Sequence, residues 1–164
     1  MGSRRVVITG IGALTPIGND VNEMWKNMLE GKGGAGAITK FNSTEFDTKF
    51  ACEVKDFDEE KYINKKEAKR MDVFTQYAMA TSTMAMDDSQ INLDSIDRDR
   101  FGVVYGSGIG GIQTLEDQIT NFVHGGPKKI SPFFVPMMIS DIAAGYISIK
   151  FGLKGPNYAT TSAC

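Results

Sequence analysis

The sequence is poor in the devices that staple or anchor a chain. Its 164 residues include two cysteines, Cys52 and Cys164, far apart in sequence. No disulfide framework is expected, and both thiols read as free, in a reducing compartment. No apolar run approaches the ~20 residues that a membrane-spanning helix needs, and no leader of charged, apolar and small residues precedes Arg4. The expectation is a cytoplasmic chain with no membrane partner. A net charge of -2 removes any global electrostatic case for nucleic acid, so a charged partner has to be argued from local clusters. The one histidine, His124, stands in a Gly/Pro loop and reads as exposed and inert. Repeats, low-complexity tracts and interdomain linkers are missing as well.

What is present suits one globular unit, since 41% of the residues are hydrophobic, enough for a sizeable core. Arg4 to Gly10, RRVVITG, is a compact apolar run closed by glycine and reads as a buried strand. The GIGALTPIG loop after it fails the GxGxxG spacing, because Thr15 stands where the third glycine should be. A tight glycine turn is the expectation there. A helix follows, capped by Asn19 or Asp20, with Glu23 as its capping-box partner and Gly31 as its stop. Its apolar positions Val21, Met24, Trp25, Met28 and Leu29 share one face, which makes Trp25 a core residue. Thr48 to Lys55 alternates like a short strand, with Cys52 inside it as a buried small hydrophobe.

Asn64 to Asp87 reads as one long helix, capped by Asn64 with Glu67 in support, and mostly buried beyond its first turns. Lys65, Lys66, Lys69 and Arg70 crowd those turns, where like charges at i, i+3 and i, i+4 repel and the helix dipole is positive. Two readings stand: a solvated face, or a surface for an acidic partner. Further on, FGVVYGSGIGG runs from strand to glycine loop to helix. Gly106, Gly108 and Gly111 satisfy GxGxxG, but no second strand ending in an acidic residue follows at the distance a dinucleotide site requires. A loop with a second basic pair, Lys128 and Lys129, comes instead. Pro136 to Gly152 reads as a helix with a slim middle at Ala143, Ala144 and Gly145, able to lie close to a neighbour. After a Gly155-Pro156 turn, Asn157 to Ala163 reads as a buried strand ending on Cys164. The order of signals indicates an α/β layered fold.

VVITGIGALTPIG, KRMDVFTQYA, GSGIGGI, KKISPFFVPMMI and GLKGPNYATTSAC stand in order along the chain. Together they resemble the N-terminal half of a β-ketoacyl-[acyl carrier protein] synthase, most closely the elongating type of bacterial dissociated fatty acid synthesis. The resemblance implies a thiolase-like fold, a layered α/β/α/β/α sandwich of two similar halves, with residues 1–164 as the first half. It implies decarboxylative Claisen condensation of acyl groups with malonyl-[acyl carrier protein], in a homodimer, with no metal or organic cofactor. Cys164 of TSAC corresponds to the nucleophile, and a cysteine placed where a strand meets a helix N-terminus has its thiolate favoured. Ile109 corresponds to a position lining the acyl pocket, and Phe134 to one reaching across the dimer into the partner's pocket. Lys66, Lys69, Arg70, Lys128 and Lys129 correspond to the patch that receives the acidic carrier protein. The family's two catalytic histidines, a supporting lysine and a gating phenylalanine belong to the second half, so this half alone is expected to be inactive. Three alternatives remain: a ketosynthase domain of polyketide synthesis, a non-catalytic chain-length factor (which lacks the cysteine), and a nucleotide-binding oxidoreductase built on GSGIGG.

Overall fold

The computed structural model describes residues 4–162. They divide into two compact units, one of residues up to 58 together with 83–90, the other of 59–82 together with residues from 91 onward.

In the first unit, helix α1 spans Val21–Leu29. Asp20 caps it by accepting the Glu23 amide at 2.8 Å, and the Glu23 carboxylate returns to the Asn19 amide at 2.7 Å. Both candidate caps are thus used, and Gly31 leaves the helix at φ 69°. The inner face differs from the expected one: Val21, Met24 and Asn27 are half-buried, whereas Trp25 is 55% exposed. Asn27 Nδ2 donates to the Ile17 carbonyl at 2.6 Å, and Gly18 lies against the Met24 backbone where no Cβ would fit. These contacts turn α1 toward its preceding loop and Trp25 outward. Strands β1, Gly36–Ala37, and β2, Phe50–Ala51, pair antiparallel. The strand expected over Thr48 to Lys55 shrinks to β2, because next to it Glu53 takes up the Thr39 hydroxyl at 2.6 Å and the Thr39 amide at 3.2 Å. Those bonds, the hydroxyl's first, hold the Glu53 carboxyl below its ordinary range. Cys52 is exposed, not the buried hydrophobe expected. Arg4 to Thr9 is exposed and forms no strand, since no described strand offers its backbone groups a ladder. The tight turn expected in the following loop closes at Thr15–Gly18, whose backbone groups bond each other at 2.8 and 3.2 Å, and Gly10 is besides a close approach, since a Cβ there would strike the Ala85 carbonyl.

The second unit begins with the one-turn helix α2, Lys65–Ala68, capped by Asn64, which accepts the Glu67 amide at 2.9 Å. Helix α3 spans Val73–Ser89, so the single helix expected from Asn64 to Asp87 is broken at Lys69 to Asp72. Asp72 restarts it: its Oδ1 accepts the Phe74 amide at 3.2 Å and its carbonyl the Thr75 amide at 3.0 Å. Gln76 Nε2 donates to the Ala68 and Met71 carbonyls at 3.1 and 3.2 Å, adding to the Met71 amide that the Ala68 carbonyl already accepts at 3.1 Å and tying the break together. Strand β3, Val103–Ser107, leads into α4, Ile112–Gly125. A 3-10 turn at Pro127–Lys129 precedes α5, Phe134–Met138, and α6, Ile142–Phe151. The helix expected from Pro136 to Gly152 is thus two helices, although Gly152 ends the second one left-handed, at φ 65°.

Strand β4, Asn157–Thr161, pairs parallel with β3, Val103 opposite Asn157 through Ser107 opposite Thr161. Helix α6 packs on both strands. Its slim middle permits this: Ala143 and Ala144 are 0% exposed, and Asn157 Nδ2 donates to the Ala144 carbonyl at 2.8 Å. The core joins Ile63, Met71, Ala78, Met79, Ala143 and Ile147, with Phe74, Tyr105 and Phe151 against it. Strand β4 is mostly exposed, contrary to the buried strand expected, because β3 is its only neighbour among the described strands. The pair starts tightly, with the Val103 amide on the Pro156 carbonyl at 2.9 Å and no room for a Cβ on Gly102 against that carbonyl. Gly102→Ala should therefore cost the intact protein about 2 kcal/mol, read as a lower denaturant midpoint. An unchanged midpoint would refute the tight start.

Candidate functional site

A closely held loop lies between β3 and α4. Ser107 Oγ accepts the Gly110 amide at 2.9 Å, and the Gly111 amide donates to the Met138 carbonyl at 2.9 Å. Gly110 is left-handed at φ 86°, and a Cβ there would lie 2.7 Å from that same carbonyl. At Gly111 a Cβ would strike the Met137 carbonyl. Two glycines of the GSGIGG run, Gly110 and Gly111, thus press the loop onto the end of α5, and Ile109 just before them is 63% exposed. With Ile112, Leu115, Met138 and Ile139 it lines a hollow of about 310 Å³. A second hollow of about 180 Å³ holds Phe134 with Ile119, Phe122 and Ile130. Ile112, Leu115, Ile119 and Phe122 form one stripe along α4, so Ile109 and Phe134 sit at successive apolar hollows of the same helix face.

The start of α4 also decides the dinucleotide reading. Such a site needs free amides at the helix N-terminus for a phosphate. Here Asp72 Oδ2 accepts the Thr114 amide at 2.9 Å and the Thr114 hydroxyl at 2.7 Å, with Asp72 7% and Thr114 4% exposed. A protein carboxylate holds the place an anion would take. Sequence reasoning missed Asp72 because the apolar periodicity runs on through it; the available signal was an aspartate directly before the apolar Val73-Phe74 pair, a capping pattern.

The basic candidates are all exposed. Lys66 lies on α2, and Lys69 is its C-cap, its amide on the Lys65 carbonyl. The break places Lys69 and Arg70 at the carbonyl end of a one-turn helix, where cations are favoured, which corrects the expectation that they work against a long helix. Lys65 pairs with Glu60 at 3.0 Å, and that bond raises its ammonium above the ordinary range. The Arg70 guanidinium stands 4.5 Å over the Phe133 ring, a cation–π contact worth ~0.5–1 kcal/mol when exposed. Phe133 follows Lys128 and Lys129 closely in the chain, so the two basic runs sit on neighbouring segments. His124 is exposed, as expected, but it stands in the last turn of α4 and not in the loop expected of it, and Cys164 lies outside the described residues. No helix among the described residues is long and apolar enough to cross a membrane.

The carboxyl edge of a parallel strand pair, a glycine loop pressed onto a helix and an apolar hollow beside it define a layered α/β protein with a binding edge. Residues 3–164 match the Beta-ketoacyl synthase, N-terminal domain, and the chain belongs to that family. The solved structure of the ishigamide ketosynthase/chain length factor covers 99% of this chain with a TM-score of 0.90 at 27% identity, over 41% of its own length. The fold is therefore that of the N-terminal half of a thiolase-like ketosynthase. Among named relatives, the 3-oxoacyl-[acyl-carrier-protein] synthase 2 of Staphylococcus aureus (strain COL) is 49% identical over 162 residues, 99% of this chain and 39% of the relative. A type II PKS acyl-carrier protein in complex with its ketosynthase bound to the hexaketide matches with TM-score 0.75 at 26% identity, covering 94% of this chain and 40% of that one. The chain thus spans about two-fifths of the length of these proteins.

With Asp72 at the start of α4, millimolar nicotinamide cofactor should leave the melting temperature unchanged, since a ligand held only by the native state would raise it. A concentration-dependent rise would restore the nucleotide reading.

Proposed function

We propose that the intact protein is an acyltransferase, an elongating β-ketoacyl-[acyl carrier protein] synthase (synthase II), with residues 1–164 as its N-terminal half. The observation that carries the proposal is one of register. Ser107 and Thr161 are opposite each other at the carboxyl edge of the β3–β4 pair, and the Ser162 amide donates to the Ser107 carbonyl at 3.3 Å. Ile109 follows one of these strands and Cys164 the other, each two residues beyond that last bond. That the proposed nucleophile and an acyl-lining residue each follow the same sheet edge so closely in sequence supports acyl transfer into a hollow at that edge.

On this reading the Cys164 thiolate attacks the thioester carbonyl of an acyl carrier protein. The carrier thiol leaves, and the acyl chain remains on Cys164. The Cys164 amide is one oxyanion donor. Malonyl carrier protein then loses carbon dioxide, and the resulting carbanion attacks the acyl-cysteine, expelling the thiolate and releasing a chain two carbons longer. Decarboxylation is left to the histidines of the second half. Ile109 lines the acyl pocket, and Phe134 contributes to the pocket of the other subunit of a cytoplasmic homodimer. Lys66, Lys69, Arg70, Lys128 and Lys129 receive the acidic carrier, consistent with the solved complex of a related ketosynthase with its carrier. The 49% identity to a synthase 2, against 26–27% to ketosynthases of other systems, favours fatty acid elongation over polyketide synthesis.

Acyl carrier thioesters or cerulenin-like electrophiles should acylate the intact protein at Cys164. Cys52 is exposed and is a fair competitor, so mass spectrometry placing the adduct there would sink the assignment. Reversing Lys66 and Arg70 to glutamate should weaken carrier binding about tenfold at low salt, and less at high salt. Unaltered affinity in a folded variant would remove the patch.

A further inference from the structure

We infer that Asp72 is a positioning residue for acyl-chain selection: from inside the core it holds the first turn of α4 and so sets the shape of the Ile109 hollow. The inference rests on the proposed reading of that hollow as an acyl site. Asp72 does not line the hollow, so its influence passes through Gly111 and Thr114. A buried carboxylate persists only where donors compensate its desolvation. Here they come from two helix starts at once, the Phe74 amide at 3.2 Å on one oxygen and the Thr114 amide and hydroxyl at 2.9 and 2.7 Å on the other.

The second oxygen also bears on Gly111, where a Cβ would approach it to 3.1 Å. On its other side the loop is held by the Met138 carbonyl, which accepts the Gly111 amide at 2.9 Å, and by Ser140 Oγ, which donates to the Ile109 carbonyl at 3.4 Å. The turn that presents Ile109, Ile112 and Leu115 is therefore clamped between a core carboxylate and the end of α5. Losing the inner clamp frees that turn to adapt to acyl chains of different length.

Asparagine at 72 keeps the size but has one acceptor oxygen, so either Thr114 or Phe74 must face an amide NH₂. The test compares kcat/KM of the intact enzyme for hexanoyl and dodecanoyl carrier protein. Asp72→Asn and Thr114→Val should each bring the two values together by about fivefold, and Thr114→Ser, which keeps the hydroxyl, should stay close to the parent ratio. Equal losses on both substrates with the ratio preserved would reduce Asp72 to a stability role and overturn the inference. Should Asp72→Asn fail to fold, Thr114→Val decides alone: convergence supports the inference, and a preserved ratio overturns it. Ile109→Phe separates the two levels. If it leaves the ratio untouched, the acyl reading of the hollow falls. If it shifts the ratio while the Asp72 and Thr114 variants do not, only the positioning role falls.

Discussion

Parallel pairing of β3 and β4 is the constraint from which the candidate site follows. Antiparallel strands can be closed by a two-residue turn, but parallel strands need a crossover long enough to return to the starting edge. Everything from Gly108 to Pro156 is that crossover, and it contains α4, α5 and α6. Helix α6 returns to the sheet and is thin enough at Ala143 and Ala144 to lie on both strands. Helices α4 and α5 run back along each other, so the turn leaving β3 ends beside the turn leaving α5, and the Ile109 hollow opens there. The same pairing brings the end of β4 out beside the end of β3. The Ile109 hollow and the last bonded residues at the two strand ends, Ser107 and Ser162, thus share an edge because of the topology, before any side chain is considered.

The second organising contact is electrostatic. Two helix starts, of α3 and α4, converge on the carboxylate of Asp72, and each contributes the positive end of its dipole as well as hydrogen bonds. An uncompensated charge in that position would cost several kcal/mol; met from both sides, it becomes a clamp. The break that frees Asp72 to turn inward also sends Arg70 outward onto Phe133. A segment of a few residues therefore serves the core on one side and the exposed basic surface on the other, which places the proposed docking face and the proposed acyl hollow on the same structural joint.

The legible parts of this architecture were those written in local chemistry. Asp20 with Glu23, Asn64 with Glu67, Gly31 and Gly152 all cap or stop helices as their residue types dictate, and GSGIGGI gave the strand, loop and helix around Ile109. The breaks at Lys69 to Asp72 and at Ile139 to Asp141 were not legible, because apolar spacing continues through both and only a single aspartate marks each restart. The sign of the charge argument changed with the first break for Lys69 and Arg70, which would oppose a long helix at its start and favour a short one at its end. The pairing of Phe133 with Arg70, and of Thr114 with Asp72, involves residues too distant in sequence for any periodicity to report.

Burial was the least legible property, for a physical reason. An alternating or continuous apolar pattern reports which way side chains face, whereas burial needs a surface to face. Val6, Val7 and Ile8 are 90%, 72% and 83% exposed although their run has the composition of a strand covered on both sides. Leaving such side chains in water forgoes about 1.5–3 kcal/mol each, a loss that a sequence does not accumulate at adjacent positions without a use for them. Tyr158 on β4 and Trp25 on α1 are exposed in the same way, on separate elements. The pattern and the structure therefore answer different questions: the pattern describes which way side chains face along an element, and the exposure describes what these residues provide for them to face.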